Sequence, residues 1–129
     1  MAAELDHVVK VIDGGAEFEK SESGKLLLRI RITAEVGGVR RDYTITYGRY
    51  GTNATMGFAV TRADAPSGKE ADAERFSALI EALTGKKPRI RRKSDGTIEL
   101  VCGRKHLDGF KRYVELADAI ERWLEETRR

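Results

Sequence analysis

The sequence predicts an α+β fold, a mostly antiparallel sheet with helices on one face, built in the order four-strand stretch, helix, β-hairpin, C-terminal helix. Three observations predict it. From Lys25 to Val36 apolar and polar residues alternate with period two, the mark of a half-buried strand. At Ala65-Pro66-Ser67-Gly68 the period changes, and Phe76, Leu79, Ile80 and Leu83 then recur at helical spacing. Asp95-Gly96 punctuates two further short apolar runs before a last helical stretch. Helices that cover one apolar face of an antiparallel sheet leave its other face to solvent or to a partner. At 129 residues and 40% hydrophobic composition, residues 1–129 read as a single α+β domain able to bury one core.

His7 to Ile12 is a short β-branched run that Asp13-Gly14-Gly15 is expected to end. In the next strand Leu26, Leu28, Ile30, Ile32, Ala34 and Val36 share one face, and Leu27, Arg29, Arg31, Thr33 and Glu35 the other. Gly37-Gly38 then supplies a two-residue turn whose glycines tolerate positive φ. Val39 to Tyr47 returns, with Val39, Tyr43, Ile45 and Tyr47 inward; a loop from Gly48 to Asn53 and a strand from about Ala54 to Arg62 follow. Ser67 and Glu70 have capping-box spacing, and Gly85 is a natural helix stop. Strands over about Lys87 to Arg92 and Thr97 to Cys102 flank the Asp95-Gly96 turn. The tail reads as helix from Lys105 to Glu126, with Leu107, Phe110, Val114, Ala117, Ile120 and Leu124 inward and a break at Gly109. Asp108 with Arg112, and Asp118 with Arg122, have the i,i+4 spacing of supporting ion pairs.

Several classes of function are set aside on composition. The longest uncharged stretch, ending at Thr61, is too short and too polar to span a bilayer, and no secretory signal is visible at the N-terminus. A lone cysteine, Cys102, excludes a disulfide scaffold and makes a reducing cytoplasm the expected compartment. Glutamine is absent and asparagine occurs once, at Asn53, amid abundant Arg, Lys and Glu, the pattern of hyperthermophilic proteins. Cys102 and His106 lie four residues apart but are short of the ligands a metal needs, so no metal or cofactor is expected. The turn Gly48-Arg49-Tyr50-Gly51 lacks the Lys-Ser/Thr of a phosphate loop. Nothing in the spacing of the carboxylates singles out a catalytic pair, and Glu115, Asp118, Glu121 and Glu125 read as a solvated helix surface. An enzyme is therefore the third reading, behind the two given below, because no catalytic constellation emerges.

Charge distribution is more telling than its sum. The segment Lys86 to Lys93 holds six cations (Lys86, Lys87, Arg89, Arg91, Arg92 and Lys93) and no acid. Removing these six from the net charge of +3 leaves the rest of the chain at −3. With Ile90 inward beside Ile98 and Leu100, a strand here lines its outer face with Lys87, Arg89, Arg91 and Lys93. Alternate residues on a strand lie about 6.6 Å apart, a spacing suited to tracking phosphates. Glu99, on the same face, dilutes the stripe. The competing explanation is a solvated edge, because lysine and arginine keep native sheet edges from pairing with one another. A second patch interleaves Arg40, Arg41, Arg49 and Tyr50 with Tyr43 and Tyr47, suiting base stacking on single strands. Tyr43 and Tyr47 share the face of Ile45 and belong to the core, which leaves Arg49 and Tyr50 as the expected exposed pair. The expected partner is therefore nucleic acid, RNA (including ribosomal RNA) or DNA. The alternative is a protein-interaction or homo-oligomeric module joining through a sheet edge or through the C-terminal helix around Trp123.

Two family comparisons bear on the sequence. Val8 to Gly15 echoes the signature helix of LAGLIDADG homing endonucleases, but Lys10 and Gly15 replace the small packing residue and the metal-binding acid, and the β-branched run favours strand. More extensively, Gly48-Arg49-Tyr50-Gly51, Arg62-Ala63-Asp64-Ala65-Pro66 and Glu70-Ala71-Asp72-Ala73-Glu74-Arg75-Phe76 resemble the PaRep paralogous-repeat family of hyperthermophilic archaea such as Pyrobaculum. The resemblance continues through Ala82-Leu83-Thr84-Gly85, Cys102-Gly103-Arg104-Lys105-His106-Leu107, Arg112-Tyr113 and Ile120-Glu121-Arg122-Trp123-Leu124. It implies a thermoproteal archaeal origin, in keeping with the amide-poor composition, and carries over no catalytic residue. Met1 to Lys25 departs from the pattern.

Overall fold

Alternation and turn chemistry produce one six-stranded sheet with every neighbouring pair antiparallel. The computed structural model describes residues 8–51 and 54–128. Its elements are β1 (Val9–Lys20), β2 (Leu26–Val36), β3 (Val39–Tyr50), β4 (Ala54–Val60), α1 (Gly68–Thr84), β5 (Arg89–Arg92), β6 (Ile98–Cys102), α2 (Arg104–Phe110) and α3 (Val114–Glu126). The strand order is β1-β2-β3-β4-β6-β5, so α1 carries the chain from β4 past the position of β6 to the far edge. The expected α+β architecture, with its helices on one face of the sheet, is the one observed.

The β2–β3 hairpin forms as its sequence dictates. Val36 pairs with Val39, and Gly37 and Gly38 take φ of 57° and 84°. Positive φ at both turn positions gives the hand that matches strand twist. Leu28, Ile30, Ile32, Ala34 and Val36 of β2, with Tyr43, Ile45 and Tyr47 of β3, all lie on the face that the helices cover. Phe76, Leu79, Ile80 and Leu83 from α1, Leu107 and Phe110 from α2, and Leu116, Ile120 and Trp123 from α3 close this core. Burying each such large apolar side chain contributes about 1.5–3 kcal/mol.

Five expectations are corrected. The first strand does not stop at Asp13-Gly14-Gly15 but runs on to Lys20; its expected first residue, His7, lies outside the described residues. The reason is a β-bulge: Val11 pairs with Ala34 and Asp13 with Thr33, so Ile12 is an extra residue that bends the strand without ending it. A strand here also departs from the helix of the homing-endonuclease signature. Next, the loop expected from Gly48 to Asn53 shrinks, because β3 continues to Tyr50 and pairs with Ala54; Asn53 lies outside the described residues.

Ser67 makes no capping bond to α1, since its own backbone is left-handed at φ 65°. Glu70 is drawn away to Arg92, 2.8 Å distant. Finally, the C-terminal helical stretch breaks at Lys111–Tyr113 instead of at Gly109. The break resets the helical phase, so that Leu116, Ile120 and Trp123 turn inward while Val114 is 82% exposed. The expected Asp108–Arg112 pair is replaced by Arg104–Asp108 at 3.0 Å, and Arg112 donates instead to the Thr84 carbonyl at the end of α1.

Candidate nucleic-acid interface

Strand parity decides which cations face a partner. β5 is the four-residue edge strand and all of it is exposed. Arg89 pairs with Val101 and Arg91 with Glu99, which puts Arg89 and Arg91 on the sheet face away from the helices, as expected. Ile90 and Arg92 oppose Leu100 and Ile98 on the helix side. Arg92 there forms a two-point contact with Glu70, whose carboxyl the Arg92 hydrogen bond holds below the ordinary carboxylate range. Glu99 does dilute the stripe: it is almost fully buried and reaches Arg91 at 3.3 Å and Lys93 at 3.7 Å. Lys86, Lys87 and Arg89 form no ion pair with any described residue, and Lys86 and Lys87 lie exposed ahead of β5.

The second expected patch divides between the two faces. Arg40 is exposed on the open face of β3, and Tyr50 is half-buried on it. Arg41 and Arg49 face the other way, for a reason visible in the numbering: both share the parity of Tyr43, Ile45 and Tyr47. Arg41 grips the carboxylate of Asp72 on α1, with Nε and Nη2 donating to its two oxygens at 2.7 Å each, and lies over the Tyr43 ring. Arg49 donates to the Thr55 and Thr127 hydroxyls and to the Leu124 carbonyl, closing the C-terminus of α3 against β3. Burial, with the nearby charge of Arg104, pulls the Arg49 guanidinium below its ordinary pKa. Neither arginine is available to a ligand on the open face. Tyr43 and Tyr47 are core residues as expected, 1% and 0% exposed.

The open face holds more than the sequence singled out. One lateral row, read from the register, runs Glu17, Arg29, Thr46, Phe58, Val101, Arg89 across all six strands. A neighbouring row includes Arg31 beside Thr44, and Val60 beside Glu99 and Arg91. The row through Phe58 is therefore uncharged between Arg29 on β2 and Arg89 on β5, while Asp42 and Arg40 on β3 and Glu99 on β6 place charge on the face to one side of it. Acidic Glu17 and Glu19 lie beyond β2, on β1, where Glu19 approaches Arg29 at 3.8 Å. Tyr50 and Phe58 meet edge to face, with ring centres 5.6 Å apart. The Lys25 ammonium stands 4.0 Å from the Tyr50 ring centre.

Sequence reasoning missed Phe58 because β4 is inverted. Its core-side residues are the small Thr55, Gly57 and Ala59, and its larger Met56, Phe58 and Val60 face outward. Gly57 is small because the Tyr47 ring lies across it; a Cβ there would stand 2.7 Å from the ring. The Tyr47 hydroxyl then reaches the Gly103 carbonyl at 3.0 Å.

Other candidate chemistry resolves into structure. Cys102 is a core residue, and burial pushes its thiol up to about 12. His106 accepts the Gly103 N–H on Nδ1 and sets Nε2 against the Lys87 carbonyl, each at 3.0 Å, so both ring nitrogens are occupied within the fold. No group of three or more His, Cys, Asp or Glu side chains among the described residues is arranged to hold a metal. Glu115, Asp118, Glu121 and Glu125 are exposed, as expected. Trp123, expected to mark a partner surface, is fully buried, and its indole N–H donates to the Leu26 carbonyl at 3.1 Å. A cleft of about 590 Å³ opens where the β1–β2 turn meets the end of α3, beside Lys25, Arg49 and Thr127. No helix among the described residues is long and apolar enough to cross a membrane. Comparison with protein-family models, curated proteins and solved structures finds no match to this chain.

Proposed function

We propose that this protein is a non-catalytic nucleic-acid-associated domain that receives RNA or DNA on the open face of its sheet. The observation that carries the proposal is the layout of that face: in the row through Phe58, Arg29 on β2 and Arg89 on β5 flank the uncharged Thr46, Phe58 and Val101, and the covering helices all lie on the opposite side. Arg89, Arg91 and Lys93 are the phosphate contacts on the β5 side, reached through Lys86 and Lys87, while Arg29, Arg31 and Arg40 serve the β2–β3 side. A polyanion gains from both flanks at once, whereas a sheet edge needs cations only along its outermost strand to stay unpaired.

The test is binding to labelled single-stranded RNA, duplex RNA and duplex DNA across a salt series, with an Arg89→Ala/Arg91→Ala variant alongside. Each phosphate contact on duplex DNA contributes about −0.9 to the slope of log K against log salt, so the variant should flatten it by about two units. Binding that is absent, or unchanged in the variant, returns β5 to the role of a solvated edge.

A second reading, assembly through a sheet edge, has one observation in its favour. β1 is a 12-residue edge strand, and near its bulge Val8, Val11 and Ile12 are 80%, 41% and 43% exposed. It calls for a mass that rises with concentration and is indifferent to Arg89 and Arg91.

A further inference from the structure

We infer that the ligand of the open face is a single-stranded polynucleotide whose bases stack on Phe58 and Tyr50 while its phosphates meet the flanking arginines; this rests on the nucleic-acid reading above. The inverted packing of β4 points to it. A strand covered by helices on one side normally turns its larger apolar residues to that side. Here Phe58 turns away, half-buried between Thr46 and Val101, with Arg29 and Arg89 as the next residues outward in the same row. Tyr50 lies over Gly48, where a Cβ would stand 2.9 Å from its hydroxyl, so its ring is spread across the sheet surface.

Arg29 and Arg89 are four strand spacings apart, about 19 Å. A band of that width, cationic at both margins and aromatic in the middle, complements a ligand with a charged backbone and exposed π-faces. A duplex keeps its bases stacked within and offers a flat sheet only sugar and phosphate, leaving the aromatic pair unused. A single strand offers both, and aromatic platforms bind it with little regard to sequence because every base has a π-face. Lys25 occupies the Tyr50 ring in the free protein. An incoming base replaces this cation–π contact with a stack and frees the ammonium for a phosphate.

The test compares oligo(U), oligo(dT) and a duplex by fluorescence polarisation, using wild type, Phe58→Leu and Phe58→Tyr, each checked for folding by circular dichroism. The expected result is tighter binding of both single strands than of the duplex. Phe58→Leu should weaken the single strands by about 5- to 100-fold with an unchanged salt slope, and Phe58→Tyr should retain the affinity. A 2-aminopurine placed in the oligo(dT) should lose emission on binding wild-type protein, a readout that needs no variant. Equal binding of duplex and single strand, an unaffected Phe58→Leu, or unchanged 2-aminopurine emission overturns the stacking platform but leaves the cationic interface standing. Failure to bind any of the three probes overturns both. If Phe58→Leu instead abolishes a concentration-dependent mass, the open face is an interface between copies of this chain and the proposal fails.

Discussion

A buried carboxylate must be fully paired or it is costly, and Asp72 is fully paired. Its side chain is 0% exposed, yet both oxygens are taken by Arg41, the Arg62 N–H adds a bond at 2.9 Å, and Arg75 stands 4.0 Å away. Burial alone would push the carboxyl pKa up, but the hydrogen bonds from Arg41 and Arg62 and the charges of Arg41 and Arg75 outweigh it, so the net shift is downward. Asp72→Asn keeps the volume but strands a largely buried guanidinium, and should cost about 3–5 kcal/mol in urea unfolding. A loss below about 1 kcal/mol would show that Arg41 finds another partner or reaches solvent. The sequence already contained the signal for this pair. Arg41 and Arg49 fall on the tyrosine side of an unbroken alternation, and reading charge as exposure overrode a parity that the structure obeys.

At the scale of elements, close approach decides what the helices can tolerate. Gly109 lies within α2 where that helix crosses α1, and a Cβ there would stand 2.7 Å from the Thr84 Cβ and 2.8 Å from its Cα. Backbone cannot rotate out of the way as a side-chain tip can, so Gly109→Ala should cost about 1–3 kcal/mol despite the better helix propensity of alanine. Thermal unfolding of that variant beside Gly103→Ala, which meets nothing within 4 Å, separates the clash from a generic glycine effect. Elements were legible where one rule acted alone. The β2–β3 hairpin followed from alternation plus a two-glycine turn, and α1 followed from four apolar residues ending at Gly85. They were obscured where two rules competed. The bulge at Ile12 shifted the phase of β1 just where Gly14 and Gly15 suggest a stop, and the break after Phe110 exchanged Val114 for Leu116 on the buried side of α3. The uncharged run of β4 carried no alternation from which to tell its faces, so the aromatic half of the candidate site emerged only with the sheet register, while its cationic half was visible as the cluster from Lys86 to Lys93.

For the whole molecule, the titrating groups set a stability window with two different walls. On the acid side Asp72, Glu70 and Asp95 all have depressed pKa values, Asp95 through its hydrogen bonds with Thr97. A group whose folded pKa is lowered contributes stability that is present above its unfolded pKa and lost as pH falls through the folded value. On the alkaline side burial raises the pKa of Tyr47, Tyr43 and Cys102, the last to about 12 from an ordinary value of 9.0. For these the sign reverses. The folded state keeps its proton when the unfolded chain has lost it, so stability is full below the ordinary pKa and declines above it, from pH 9.0 to about 12 for Cys102 and from pH 10.0 upward for the two tyrosines. The melting temperature against pH should therefore be a plateau with an acid wall below about pH 4 and an alkaline wall above about pH 9. Each wall can be moved by itself. Asp72→Asn should lower the plateau and soften the acid wall, because the group that must be protonated there is gone. Cys102→Ala should lower the plateau through its cavity and leave a shallower alkaline decline, with the two tyrosines still present. Melts of the three proteins from pH 3 to 11 decide it. An alkaline wall identical in wild type and Cys102→Ala would assign that side to the tyrosines alone, and a flat acid limb in wild type would mean that the Asp72 network does not hold the helical layer to the sheet.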